Sequence, residues 1–400
     1  MTSKRLAHIV WRAALVLGFG FTTLALPAAA GDLPNPRQMG PYPVGVTSMT
    51  FVDHSRTDPA TKGPRTLLTD IWYPATDASR SLPKNQYIDF LMDGTVPGAY
   101  KVANTLISSE FAPGFTVKKY NKTFKNVAVR DARIRDGKFP LIVFSHGNGG
   151  MRDAYTFWYD YMASHGYIVM APDHTGNSLF TLVDDKVVIF QDKLRQYSAD
   201  NRPLDVSFLI DEMTQWDQGG ESRFNGHVDL DHIGVAGMSF GGYTALKVID
   251  MDKRVKAALA MAPVWKTRTN YTTPVMMMIG SEDRTIKLDG DQHDRLYYEQ
   301  SKGPHYLVEL HDAGHYTFTN MYQINPDFGD GVGKGKRMTK PGEAVNYLPM
   351  KEAYGIINSY SVAFFGRYLK DQKGYDAYLS KNHYGNEITY KTGGTGSKAD

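Results

Sequence analysis

Residues 231–243 read Asp231-His-Ile-Gly-Val-Ala-Gly-Met-Ser-Phe-Gly-Gly-Tyr243. Ile233, Val235 and Ala236 have the apolar character of a short buried strand, and Thr244-Ala-Leu-Lys-Val-Ile249 that of a helix start. Between them Gly237-Met238-Ser239-Phe240-Gly241 fits the pattern G-x-S-x-G. A strand that turns this abruptly into a helix holds its central serine in a strained backbone conformation. Glycines flank the serine because a Cβ at either place would strike the neighbouring strand or helix. The turn lifts the Ser239 hydroxyl clear of the sheet and sets it at a helix N-terminus, where developing negative charge is stabilised. The pentapeptide alone is moderately specific, so the rest of the chain must support it.

Working outward, Phe139-Pro-Leu-Ile-Val-Phe144 is apolar without alternation, as a strand covered on both faces is. A helix containing Trp158 and Tyr161 follows, then a strand at Tyr167–Ala171. Beyond the serine lie strands at Val255–Met261, Val275–Ile279 and Tyr306–Leu310, then a long helix, Tyr354 to Leu369. Near the start, 41–52 and 65–73 alternate as a pair of antiparallel strands joined by a turn within 53–64. Residues 80–130 read as an irregular excursion forming part of a lid, and 176–225 as a second insertion ending in a helix around Leu204–Met213. Gly329, Gly331, Gly333 and Gly335 argue for a loop over 325–345, and residues 391–400 for a flexible tail. The pattern predicts an α/β fold in one domain, residues 31–390. It has a mostly parallel central sheet, helices on both faces and lid-like insertions. In such sheets ligands bind at the carboxyl ends of the strands.

Those strand ends carry chemistry. Ser145-His-Gly-Asn-Gly-Gly150 follows the first parallel strand, and its glycines let backbone N–H groups converge as an oxyanion hole requires. The expected donors are the amides of Asn148 and Phe240. Gly280-Ser-Glu-Asp283 follows a later strand. Asp283 is the favoured acceptor for a histidine, because the shorter side chain follows a G-x-x-D turn, with Glu282 its competitor one residue away. His311-Asp-Ala-Gly-His315 follows the last strand, and His315 stands where a general base for Ser239 belongs. The order Ser239, Asp283, His315 is the order this strand–turn–helix motif is found with. His146 and His174 are expected to hydrogen-bond near the site. His146, Trp265 and Tyr316 are the candidate substrate contacts, with Phe318 in a comparable position. His311 and His315 share i,i+4 spacing, but Gly314 argues against a helix and no third ligand is evident. Asp289, Asp291 and Asp294 lack the Ca-loop spacing that ends in glutamate. Neither metal nor cofactor is expected.

Composition bounds the remainder. The 400 residues include 42% hydrophobic residues, enough for a sizeable core. The formal charge of +3 matches Lys4, Arg5 and Arg12, since residues 1–30 contain no acidic residue. Neither nucleic acid nor an anionic membrane is an expected partner. The three cations, the apolar run Ala13 to Leu26 and Pro27-Ala-Ala-Ala30 have the pattern of a signal peptide cut after Ala30. A secreted or periplasmic location follows, with no membrane span after cleavage. The chain has no cysteine, which excludes disulfides, a cysteine nucleophile and thiolate metal sites.

Phe144-Ser-His-Gly-Asn-Gly-Gly150 with Gly237-Met-Ser-Phe-Gly-Gly242 resembles the platelet-activating-factor acetylhydrolase-like and dienelactone-hydrolase-related branch of the α/β-hydrolases. Arg202-Pro-Leu-Asp-Val-Ser-Phe-Leu-Ile-Asp211 and Val362-Ala-Phe-Phe-Gly-Arg-Tyr-Leu369 look like those of bacterial members. The resemblance spans roughly residues 40–375. It implies Ser239, Asp283 and His315 as a catalytic triad, with the Asn148 and Phe240 amides as oxyanion hole. Two departures stand out: dienelactone hydrolases use a cysteine, and acetylhydrolases commonly have an apolar residue where Asn148 stands. Prolyl-oligopeptidase-type peptidases share a similar serine turn, but their N-terminal propeller has no counterpart here.

The expectation is a serine carboxylesterase acting through an acyl-enzyme on a small-molecule, lipid-like or polymeric ester. The alternatives are a lipase, a phospholipase A2-like acetylhydrolase or a polyester depolymerase, and, of a different kind, a non-catalytic binding protein of the same fold.

Overall fold

The computed structural model describes residues 33–92, 95–220, 222–263, 271–286 and 298–394. The described residues from Pro34 onward fall in one compact unit. The strands in chain order are β1 (Val44–Thr57), β2 (Pro64–Pro74), β3 (Val129–Arg130), β4 (Phe139–Ser145), β5 (Ile168–Pro172), β6 (Phe180–Val183) and β7 (Lys186–Ile189). They continue with β8 (Val228–Met238), β9 (Val255–Met261), β10 (Val275–Gly280), β11 (His305–Leu310), β12 (Lys334–Lys336), β13 (Ala344–Asn346) and β14 (Ile388–Gly393). Ten of these form one sheet in the order β14-β11-β10-β9-β8-β4-β5-β2-β1-β3. The run from β5 through β4, β8, β9 and β10 to β11 is parallel. Antiparallel β1 and β2 extend one side and antiparallel β14 the other.

The absence of alternation in the central strands has a direct cause: each feeds two cores. Ile142 and Phe144 of β4 pack with Met276 and Met278 of β10 on one face. Leu141 and Val143 pack with Met277 and Ile279 on the other. On the first face lie helix α4 (Thr156–Ser164) and the C-terminal helix Met350–Leu369, joined by Trp158 Nε1 donating to Ser361 Oγ at 2.9 Å. On the second face Val206, Leu209 and Met213 of α5 (Arg195–Gln218) pack with Leu246 and Val248 of α6 (Phe240–Met251). Every side chain of β4, β5 and β10 is therefore removed from water whichever way it points.

Several expectations need correction. Residues 80–130 are not irregular: helices α1 (Tyr87–Phe90), α2 (Ala99–Glu110) and α3 (Val117–Thr123) lie there, sealed by a Tyr87, Phe115, Tyr120 and Phe124 cluster. The helix expected from Leu204 begins at Arg195 and carries Pro203 inside it. Proline removes a helix hydrogen bond, and the neighbouring Arg202 and Asp205, both fully buried, anchor the helix on each side of it. Most of 176–225 is thus the crossover between β5 and β8 rather than a lid. The glycine-rich stretch 325–345 includes β12, which pairs with β13, and Gly335 is needed because a Cβ there would lie 2.5 Å from the Tyr347 hydroxyl. The expected tail begins inside an element, since Lys391, Thr392 and Gly393 belong to β14. The N-terminal segment 1–30 and the acidic residues 289–294 lie outside the described residues.

Candidate active site

β8 ends at Met238 and α6 begins at Phe240, which leaves Ser239 in the turn at φ 58° and ψ −119°. Its N–H donates to Met261 O of β9 at 2.8 Å, and its carbonyl accepts from Tyr243 N at 3.1 Å. The strained residue is therefore tied to both sheet and helix. A Cβ at Gly241 would lie 1.7 Å from Ser145 O, and one at Gly237 2.2 Å from Gly241 O, so the close approach to β4 requires both glycines.

Asp283 and His315 come from the ends of β10 and β11, which run side by side in parallel. Asp283 Oδ2 lies 2.7 Å from His315 Nδ1, and Asp283 Oδ1 accepts from the amides of Thr285 at 3.0 Å and Ile286 at 2.9 Å. With the carboxylate used as acceptor, Nδ1 carries the imidazole proton and Nε2 is left as the basic nitrogen. Glu282 turns the other way: it accepts from Thr339 and from the Met338 amide, and Arg337 lies 3.1 Å from it. Burial pushes the Glu282 carboxyl up, but these donors outweigh it and hold it below the usual range. Asp330, from the glycine-rich loop, accepts from the His315 amide at 3.2 Å and the Arg284 amide at 3.0 Å. Sequence reading passed over it, because nothing in a loop composition marks which acidic residue folds back.

Ser239 and His315 line one cleft of about 80 Å³ together with residues 147–151, Tyr155, Met238, Phe111, Tyr316, Met321 and Ile324. Phe111 arrives from the end of α2, so the first insertion does supply a wall. In the 147–150 loop, Gly147 N donates to Tyr155 Oη at 3.0 Å, Gly149 N to Asn177 O at 3.0 Å and Gly150 N to Gly147 O at 3.1 Å. Asn148, between these engaged amides, lies on the cleft beside Ser239. Phe240 provides the first amide of α6, where the helix dipole is positive.

The assignment of His146 as a substrate contact is corrected. Its ring is buried behind the loop, with Nδ1 donating to Gly147 O at 2.6 Å and Nε2 accepting from the His174 amide at 3.1 Å. Burial holds its imidazole well below its usual range, so it is neutral. His174 is likewise lowered to about 3 by burial and donates through Nδ1 to Asp205 Oδ2 at 2.8 Å. Tyr316 does line the cleft, Phe318 is buried in the core, and Trp265 lies outside the described residues. His311 is bonded to Asn386 O at 2.7 Å and to Thr389 Oγ1 at 2.8 Å. Tyr155, Asn177 and Arg202 were missed. They are buried polar residues whose partners are distant in the chain, and only Arg202 sat in a stretch already singled out.

The sheet order, with a serine turn after β8, an acid after β10 and a histidine after β11, defines the α/β-hydrolase fold. A family model described as "Platelet-activating factor acetylhydrolase, isoform II" matches residues 28–196, and one described as "PET hydrolase-like" matches residues 130–329. The chain is 24% identical over 400 residues to a platelet-activating factor acetylhydrolase of Cavia porcellus, covering 92% of this chain and 82% of the relative. It is 27% identical over 399 residues to the protein of that name from Bos taurus, covering 89% and 82%. Among solved structures, a ferulic acid esterase from Streptomyces cinnamoneus matches with a TM-score of 0.66 and 23% identity, over 92% of this chain and 98% of that one. The chain belongs to the platelet-activating-factor acetylhydrolase-like esterases of the α/β-hydrolase family, and it is an ester hydrolase.

Proposed function

We propose that the protein is a secreted serine carboxylesterase in which Ser239, His315 and Asp283 form the catalytic triad. The observation that carries this reading is the buried Asp283–His315 pair opening onto the same cleft as the strained Ser239. A serine hydroxyl is a poor nucleophile until an imidazole takes its proton. His315 Nε2 removes that proton as Ser239 Oγ attacks the ester carbonyl, and Asp283 stabilises the imidazolium that forms. The Asn148 and Phe240 amides receive the oxyanion, each such donor being worth about 10²–10³ in rate. His315 then protonates the departing alcohol, and water, activated by the same imidazole, releases the acid. Secretion is supported by the positive, apolar and alanine-rich succession in residues 1–30.

A second reading, action on a polymeric or lipid-like ester, is favoured by the PET hydrolase-like match over residues 130–329 and by the apolar wall of Phe111, Met321 and Ile324. The deciding experiment is hydrolysis of p-nitrophenyl esters from acetate to palmitate by residues 31–400 and by its Ser239→Ala variant. Turnover that disappears with the serine supports the mechanism, and the chain-length profile separates esterase from lipase. Undiminished turnover in Ser239→Ala would overturn it.

A further inference from the structure

Asn148 is exposed on the cleft, yet its side chain is tethered inward: Asn177 Nδ2 donates to Asn148 Oδ1 at 2.9 Å. The backbone carbonyl of the same Asn177 accepts from Gly149 N at 3.0 Å, so one residue grips the loop on both sides of the Asn148–Gly149 peptide. Asn177 is fully buried and cannot turn, because its Oδ1 accepts from Arg202 Nη1 at 2.9 Å and its own N–H donates to His174 O at 2.8 Å. The Arg202 bond also settles the amide's orientation: the oxygen faces the guanidinium, and the NH₂ group must face Asn148.

Arg202 is itself fully buried and bonds to the loop's root, donating to Ser145 Oγ at 2.7 Å and to His146 O. Its guanidinium lies 4.5 Å from the centre of the Phe240 ring. One cation thus touches Phe240 directly and reaches Asn148 through Asn177. Its charge is compensated at a distance: Ser145 donates to His174 Nε2 at 2.9 Å, and His174 Nδ1–H donates to Asp205. The hydrogen bonds that link Asp205, His174, Ser145, Arg202, Asn177 and Asn148 then each have a determined direction, which restrains the line, while Arg202 Nε has no hydrogen-bond partner.

We propose that Asn177, oriented by Arg202, is a positioning residue that aims the Asn148 amide at the reacting oxygen. The inference rests on the assignment of that amide to the oxyanion hole. The chemistry requires such a device, because donors must be set before charge develops, whereas Asn148 is an exposed residue on a loop and its neighbour Gly149 has φ 65°.

The test is a double-mutant cycle of Asn148→Ala and Asn177→Ala, with Asn177→Asp as the conservative variant that keeps the Arg202 contact but cannot donate to Asn148. Turnover per titrated active site on p-nitrophenyl acetate and inhibition by an aryl trifluoromethyl ketone, whose adduct carries the oxyanion, are read together. Each single variant should lose about 10²-fold in kcat, as misplacement of a reacting group typically costs, with KM nearly unchanged. The ketone should bind more weakly by a similar factor, and the double variant should be no worse than the singles. A merely structural role would lower the active fraction and leave kcat and ketone affinity per site unchanged. Wild-type kcat in Asn148→Ala, or full additivity in the cycle, would overturn the proposal. Should Asn177→Ala not fold, Asn148→Ala at the exposed end of the tether decides alone. Failure of the serine mechanism is seen separately, as activity retained in Ser239→Ala.

Discussion

His315 Nδ1 lies 2.7 Å from Asp283 Oδ2, while the adjacent carboxylate, Glu282, faces Arg337 at 3.1 Å. Adjacent side chains in a turn point apart, so one acid serves the imidazole and the other fastens the Arg337–Thr339 segment. Asp283→Asn should therefore lower kcat by about 10⁴, as loss of the tautomer-fixing acid does in serine hydrolases. Glu282→Gln should leave kcat within severalfold and lower the melting temperature instead. Measured on p-nitrophenyl acetate after active-site titration, equal losses in the two variants would refute this division.

The serine turn predicts a stability signature independent of activity. At φ 58° an L side chain is strained by about 1–2 kcal/mol and glycine is not. Ser239→Gly should therefore resist urea better than Ser239→Ala by about 1 kcal/mol. Gly241→Ala, whose Cβ would meet Ser145 O at 1.7 Å, should be destabilised by about 3 kcal/mol or more or fail to fold.

Arg65 lies fully buried between Asp58 Oδ2 and Asp205 Oδ2, each at 2.6 Å. Removing the cation takes the ion-pair partner from buried Asp58 and leaves Asp205 with Arg56, at 2.9 Å. Arg65→Leu should cost about 3–5 kcal/mol in denaturant unfolding. A neutral result would mean that water reaches the cluster.

Asp160 is buried in α4, accepts from Val127 N at 2.9 Å and is pushed up to about 7, chiefly by burial. A carboxyl raised above its unfolded value of about 3.9 binds more protons when folded, so its contribution to stability falls as pH rises from about 4 to 7. Asp160→Asn lacks that titration. Its stability relative to the wild type should climb across this window by about 4 kcal/mol and level off above it. A difference independent of pH, measured by urea unfolding from pH 4 to 8, would show that Asp160 is ionised throughout.

Phe111 and Tyr316, with ring centres 6.5 Å apart, both line the cleft. Phe111→Ala should widen it and raise kcat/KM for octanoate relative to acetate by about tenfold, the scale on which a few methylenes are discriminated. An unchanged ratio would place the acyl chain elsewhere.

Local sequence determined the central strands, because an unbroken apolar run such as Phe139–Phe144 has one comfortable place, a strand buried on both faces. It determined the serine turn too, since only glycine tolerates the contacts at positions 237 and 241. Which of the two adjacent carboxylates faces His315 depends on the direction of neighbouring side chains, and that was decided only when β10, β11 and the glycine-rich loop came together. The helices of 80–130 and edge strand β14 were illegible for a related reason: short elements take their stability from the surface they cover rather than from their own periodicity. Least visible of all was the line from Asp205 to Asn148, whose members are scattered over residues 145–205. Burial makes each polar group depend on a partner, and only the tertiary fold chooses the partner.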